Sequence, residues 1–485
     1  MRAYRHRRAT AGATAMPRSD DTAPRDGFLR RWRRPVAAAA AGVLVGIVFA
    51  YGVWHVLRTP GDPRYIRLDG DGLAAHYASS FLPIQHWSYP EFDPALFAGD
   101  DPGRRFGFDF ARDVRDRWRV VAVGDIMAHD SLQITAFTRR TAPGESAGGY
   151  GWVLSEAGAV IGGADFAIGN LETVASAHLP RRGFPRFNVD PQYLKALAAL
   201  GFDAMTTANN HILDHGIEGL RDTEKSLAAH RLAFTGTGGA LRRGVPIEVA
   251  SRNAAEPLTV GIVSYTDSVN GTAWQHIRRR GALAEVNYLC TDKHWTFGVF
   301  VDWFAPGTCH TTEESFLAEA GASITALRRD GADYVAVFVH RLRADAFFPS
   351  EDERRQSAAL AKLGADAVVN TGSHTIMPLE RLYTKDGEVR PTADPESREH
   401  LIVYGLGNFV SSQGGASAYG LVAEIDIGRD RDGRFVHAVT PHIAQSVMTM
   451  EEHPQGERRR KLEIYRLRML TFDAFLAGVR RIPKM

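Results

Sequence analysis

The chain has 485 residues, 44% apolar and 24% charged. Those proportions exclude a disordered, collagen-like or many-span membrane protein and suit one large domain with appendages. The formal charge of +2 is unevenly placed: residues 1–34 hold ten Arg against three Asp, so residues 35–485 carry 2 − 7, or −5, which argues against nucleic acid as a partner.

After the basic tail 1–34, the stretch 35–57 holds an uncharged apolar run, Val36 to Leu57. At about 1.5 Å per residue, 22 residues of helix reach roughly 33 Å, enough to cross a bilayer. Arg30, Arg31, Arg33 and Arg34 before the run place the tail in the cytoplasm and the rest outside, a single-pass protein of the cell membrane. A cleaved signal peptide ending near Val48-Phe49-Ala50 is the alternative. Residues 58–117, rich in Asp, Pro and Gly, read as a juxtamembrane segment.

From Arg119 short β-branched runs alternate with helical stretches, the pattern of an α/β fold. This domain is assigned to 118–445. Four times a helix ends in Gly and an Asp follows before an apolar strand: GGADFAIGN, LGFDAMTTANN, DGADYVAVFVH and LGADAVVNTGSH. Helices are predicted over 152–161, 192–200, 313–329 and 350–363, the last with Ser350 as N-cap and Glu353 closing a capping box. Late strands without intervening helices imply antiparallel pairing in the second half. An insert at about 268–312 carries Cys290 and Cys309, which an oxidising compartment would bridge. The last stretch, 446–485, reads as a helical segment.

Polar residues stand where the strands end: Asp125, Asn170 and Glu172, Asn209 to His211, His340 and His374. In open α/β sheets ligands bind outside the strand C-termini, so these side chains are expected to converge. Carboxylate, amide and imidazole together suit a divalent cation, with Mn, Fe, Zn and Mg all compatible. His129 and Asp130 stand close enough in sequence to supply a further ligand. P-loop and HExxH motifs are absent.

In order, VGDIM, GNLET, Asn209-Asn210-His211 with Asp214 and Gly216, His340, GSHTIMPLE and the Tyr404–Phe409 segment YGLGNF resemble the CapA family of capsule-biosynthesis proteins, associated with poly-gamma-glutamate. That family looks like a distant relative of calcineurin-like metallophosphoesterases. The resemblance implies a four-layer α/β/β/α sandwich with a dinuclear metal centre: Asp125 and His374 on one metal, Asn210 and His340 on the other, Glu172 bridging. It makes His211 the catalytic acid or a donor to a phosphate oxygen.

The chain departs from those patterns at three places. Met127 stands where phosphoesterases carry His, Gly372-Ser373-His374 replaces His-Pro-His, and His340 is followed by Arg341, Leu342, Arg343 and Ala344 instead of Trp, Gly and an acid. Two functions follow as expectations: a metal-dependent hydrolase of the phosphoesterase type, or a non-catalytic factor that binds an anionic cell-envelope polymer or its synthase complex. An anionic polymer would need a cation in the cleft, or Arg341 and Arg343 beside it.

Overall fold

The computed structural model describes residues 114–238, 243–267, 269–270, 285–288, 312–390, 396–455, 458–470 and 474–475. All lie in the compact unit Pro63–Met485. The expected anchor, most of the juxtamembrane segment and the Cys290–Cys309 pair fall outside the described residues. Among those described, no helix is long and apolar enough to cross a membrane.

The first half runs β1 (Asp116–Ile126), α1 (Asp130–Arg139), α2 (Tyr150–Leu154), α3 (Gly158–Ile161), β2 (Phe166–Leu171), β3 (Val174–Ala175), β4 (Asn188–Val189), α4 (Gln192–Leu200), β5 (Ala204–Thr206), α5 (Gly216–Ala229) and β6 (Ala233–Thr235). Next come β7 (Val245–Val249), β8 (Leu258–Thr266), α6 (Glu313–Arg329), β9 (Tyr334–His340), α7 (Glu351–Lys362), β10 (Ala367–Thr371), β11 (Leu379–Lys385), β12 (Glu388–Arg390) and β13 (Arg398–Val403). The chain closes with β14 (Asn408–Val410), β15 (Tyr419–Arg429), β16 (Phe435–Gln455) and β17 (Arg458–Leu470). One sheet is ordered β17-β16-β15-β1-β2-β5-β6, with β14 also on β1; the other is β12-β11-β13-β10-β9-β8-β7. Both are mixed: β1, β2, β5 and β6 run parallel, as do β8, β9, β10 and β13, while the outer strands pair antiparallel. The expected mixed α/β pairing is present.

Central strands bury both faces, which is why they read as continuous apolar runs. In β1, Val120 and Ala122 join Ile262, Ala336 and Val369 of the other sheet in one core, while Val121 and Val123 join Leu132, Val153 and Leu197 of the helices in a second. A third core sets Val335 and Val337 against Phe316, Ile324 and Leu360 of α6 and α7.

The recurring Asp fixes strand register. Asp165, Asp203, Asp333 and Asp366 each accept the amide of Arg119, Ala167, Thr259 and Val335 on the neighbouring strand at 2.7–3.0 Å. Each also donates its own amide back to that residue's carbonyl. Before Asp203, Asp333 and Asp366 a Gly takes the left-handed turn that ends the helix, at φ +113° for Gly201, +96° for Gly331 and +107° for Gly364. This clamp starts a parallel pair where no hairpin can set the alignment.

α4 and α6 occupy their expected spans, and Ser350 with Glu353 forms the capping box of α7. The expectation of one helix over 152–161 gives way to α2, a 3-10 turn and α3. The expected helical segment over 446–485 is corrected in its described part: 446–455 lies in β16 and 458–470 forms β17, paired from Ile443↔Leu470 to Gln455↔Arg458. Cross-strand partners reward an alternating pattern, and Tyr465 and Leu467 are buried between exposed Arg466 and Arg468.

One buried imidazole makes folding acid-sensitive. His400 donates from Nδ1 to the Ala365 carbonyl (2.6 Å), and Thr384 Oγ1 lies 2.7 Å from its other nitrogen. Burial, first, and the Arg398 charge outweigh the Ala365 bond and push it down to about 4. A histidine depressed in the folded state contributes stability that is complete above its unfolded value near 6.5 and lost as pH falls toward 4. The loss is on the order of 3 kcal/mol. Urea unfolding at pH 7 and pH 4.5 should show His400→Gln, whose amide keeps both bonds, losing less stability than wild type; equal losses would exclude His400 as the cause.

Candidate metal centre

Parallel strands of both sheets end at one edge, and their termini carry the site. β1 delivers Asp125, β2 leads into Glu172, β5 into Asn209–His211, β9 ends on His340, and β10 leads to His374. Asp125 and Glu172 are wholly buried, and Asn210, His340 and His374 are nearly so. Ligand atoms of Asp125, Glu172 and His374 all lie within 4.8 Å of one another. His340 Nε2 is 3.9 Å from Glu172 Oε1 and 3.0 Å from Asn210 Oδ1. All five residues expected from the sequence therefore meet, with Glu172 between the Asp125–His374 and Asn210–His340 pairs.

Asp125 is held on every side. His374 Nδ1 lies 3.0 Å from one oxygen and Asn170 Nδ2 donates to the other at 2.8 Å, while the Gly372 amide reaches both at 3.2 Å. Burial raises its pKa, but the hydrogen bond and charge of His374, with His340, hold it below the ordinary value. Burial works against His374 in turn, but Asp125 keeps its pKa raised. His340 is pushed down to about 4 by burial and stays neutral at pH 7.

Glu172 is the exception. Both its oxygens are buried without a hydrogen-bond donor. Burial, and then the Asp125 carboxylate beside it, drive its pKa well above the usual range. Buried oxygens without donors are costly, and a divalent cation satisfies them. Two carboxylates and an imidazole within ligand reach fit such an ion by donor chemistry, and Asn210 and His340 extend the set.

The other polar residues sort into supports. Asn209 Nδ2 donates to the Leu171 carbonyl and its Oδ1 accepts the His211 amide, so it fixes the loop. His211 Nδ1 donates to Asp214 Oδ2 at 2.7 Å, leaving Nε2 4.0 Å from Glu172 Oε1. Asp214 is wholly buried and also accepts the Phe187 amide. Asp130 accepts the Gly183 amide and caps a loop. His129 accepts the Ser412 amide and packs edge-on against Phe187, which packs against His211. It stands beside the site and outside the ligand cluster.

The departures acquire physical reasons. Gly372 has φ +88°, and a Cβ there would lie 2.4 Å from the Arg341 carbonyl and 2.9 Å from the His340 ring, so this backbone has no room for a histidine. Met127 is buried, its amide donating to Val410. Arg341 and Arg343 do not face the cleft as substrate cations: buried Arg341 donates to Asn370 and Gln356, and Arg343 pairs with Glu353. Two site neighbours carry no role that the sequence alone suggests. Asn408 of the YGLGNF segment accepts from His374 Nδ1 at 3.0 Å, and Asn270, at the start of the insert, accepts from Asn210 Nδ2 while its own Nδ2 lies 3.2 Å from His211 Nε2. The first lies in a motif of the family resemblance; the second has no sequence signal.

Residues 119–413, over half the chain, match the family model described as bacterial capsule synthesis protein PGA_cap. The chain is similar to the PGA biosynthesis protein CapA of Bacillus subtilis, 23% identical over 57% of this chain and 63% of that protein. It is also similar to the capsule biosynthesis protein CapA of Bacillus anthracis, 24% identical over 46% of this chain and 43% of that one. An uncharacterized protein, y4sH, of Sinorhizobium fredii is 32% identical over 26% of each. The chain thus spans less than two thirds of the curated relatives it matches.

Proposed function

The chain belongs to the bacterial capsule synthesis protein family, and on that premise we propose that it is an exported, membrane-anchored protein acting on an anionic envelope polymer through a divalent metal centre. Asp125, Glu172 and His374 hold the ion, with Asn210 and His340 extending the site, on a four-layer sandwich of the metallophosphoesterase type. The observation that carries this reading is the buried Glu172 carboxyl with both oxygens lacking donors.

When bound, the ion supplies Lewis-acid stabilisation of charge that develops on a substrate oxygen. The protein orients the group that moves a proton. Because Asp214 accepts from His211 Nδ1, the ring presents Nε2 toward Glu172, placed to protonate a departing oxygen. His211→Ala should therefore retain metal and lose hydrolysis of generic phosphoesters by about 10²–10⁴-fold. Asp214→Asn should lose part of that rate, since an amide no longer fixes the ring's tautomer. Metal analysis beside the rate assay checks both; an unchanged rate in His211→Ala would remove the acid.

The second reading is a polymer-binding assembly factor using the same cleft. Gly372 favours it, because its backbone excludes the histidine that the resemblance expects. Wild type that stays metal-free across Mn, Zn, Fe and Mg while supporting polymer assembly in cells would select it.

A further inference from the structure

Seven large apolar side chains are exposed among the described residues, and three share one side of the molecule: Ile134, Phe137 and Phe184, at 52%, 57% and 71% exposure. On α1, positions 130, 133, 134 and 137 lie on one face, by helical spacing. Asp130 accepts the Gly183 amide and Gln133 Nε2 donates to the Arg182 carbonyl, so this face carries the loop that ends in Phe184. Ile134 and Phe137 continue the same face for another turn. The three side chains form a strip, not a scatter.

Cations border it. The Arg140 guanidinium stacks over the Phe137 ring at 3.8 Å, and exposed Arg181 and Arg182 precede Phe184. Arg181 pairs with Asp190, whereas Arg140 and Arg182 have no carboxylate partner among the described residues. Asp130, the acid on this face, is engaged by Gly183. Exposed aromatic and aliphatic side chains interleaved with arginine match the boundary between acyl chains and acidic headgroups.

We propose that this strip docks on an anionic lipid bilayer. The inference rests on the membrane-anchored reading above and deepens it. Phe184 packs on Phe187, and Phe187 on His211 at a centroid distance of 4.6 Å, so docking sets the proposed site two rings from the headgroups.

The test uses the full chain reconstituted in phosphatidylcholine–phosphatidylglycerol vesicles containing a diazirine-bearing lipid, irradiated and mapped by peptide mass spectrometry. Adducts are expected on 130–140 and 181–187 as well as on 36–57. In Phe137→Asp/Phe184→Asp the adducts on the strip should fall about tenfold while those on 36–57 persist. Adducts confined to 36–57 would overturn docking and leave the anchor standing; adducts nowhere would overturn both. Labelling of the strip that is equal in pure phosphatidylcholine, or cross-links to a protein in place of lipid, would also overturn an acidic bilayer as the occupant. Wild type alone decides these outcomes if the double variant fails to fold.

Discussion

Glu172→Gln should abolish divalent-metal binding while leaving the metal-free protein as stable as wild type, or more stable. Without metal the Glu172 carboxyl is buried beside Asp125 with no donor for either oxygen, and the only relief is to keep a proton that the two acids share. A glutamine amide donates toward Asp125 in that proton's place. The apo variant is therefore expected at wild-type stability or up to about 1 kcal/mol above it. With metal the order reverses. Wild type at a metal concentration 100-fold above Kd gains about 2.7 kcal/mol, and the variant gains nothing because a neutral amide is a poor substitute for a carboxylate ligand. Thermal melts with and without Mn, Zn, Fe or Mg, beside metal content, read both halves. A variant that binds like wild type would sink the assignment of Glu172.

This double signature separates a ligand from a structural acid. Asp366 is also wholly buried, but Arg328, Arg398 and the Val335 amide surround it. Removing its charge leaves those donors unmatched and can only cost stability. Glu172 has no such partners to lose.

The strand ends are legible in the sequence because each central strand is apolar on both faces, so the first polar residue after it marks where the chain leaves the core. That pattern alone brings Asp125, Glu172, Asn210, His340 and His374 to one place. It does not separate ligand from support, because Asn170 and Asn209 are of the same residue type as Asn210 and sit at the same strand ends. Only the partners distinguish them: Asn170 is spent on Asp125 and Asn209 on Leu171. Arg341 and Arg343 mislead for a related reason. They follow a ligand-type histidine, but burial turns one toward Asn370 and Gln356 and pairs the other with Glu353. The helix expected at the C-terminus fails where charged residues mask a period of two, which the pairing of Met448 with Tyr465 makes evident.

Gly124→Ala should be severely damaging for a single added carbon, costing about 3 kcal/mol or more and removing metal binding with it. A Cβ at this position would lie 1.9 Å from the Gly407 carbonyl oxygen and 3.0 Å from Leu406 Cβ, so backbone has to move. The strand is already irregular there, its register with β2 and β14 shifting around Asp125. That carbonyl is the acceptor of the Asp125 amide at 3.0 Å, and the next residue, Asn408, bonds His374. Any retreat of Gly407 therefore releases Asp125 and displaces the support of His374 together. The close approach explains what the YGLGNF segment does, since Gly407, at φ +66°, turns the chain tightly against β1 and sets two of the proposed ligands at once. Gly387→Ala is the control, since its φ is +75° but nothing lies within 4 Å of the added carbon. It should cost only the strain of a left-handed alanine, about 1 kcal/mol, and keep metal affinity. Equal losses of metal in the two variants would mean that global destabilisation, and not the Gly124–Gly407 contact, governs the site.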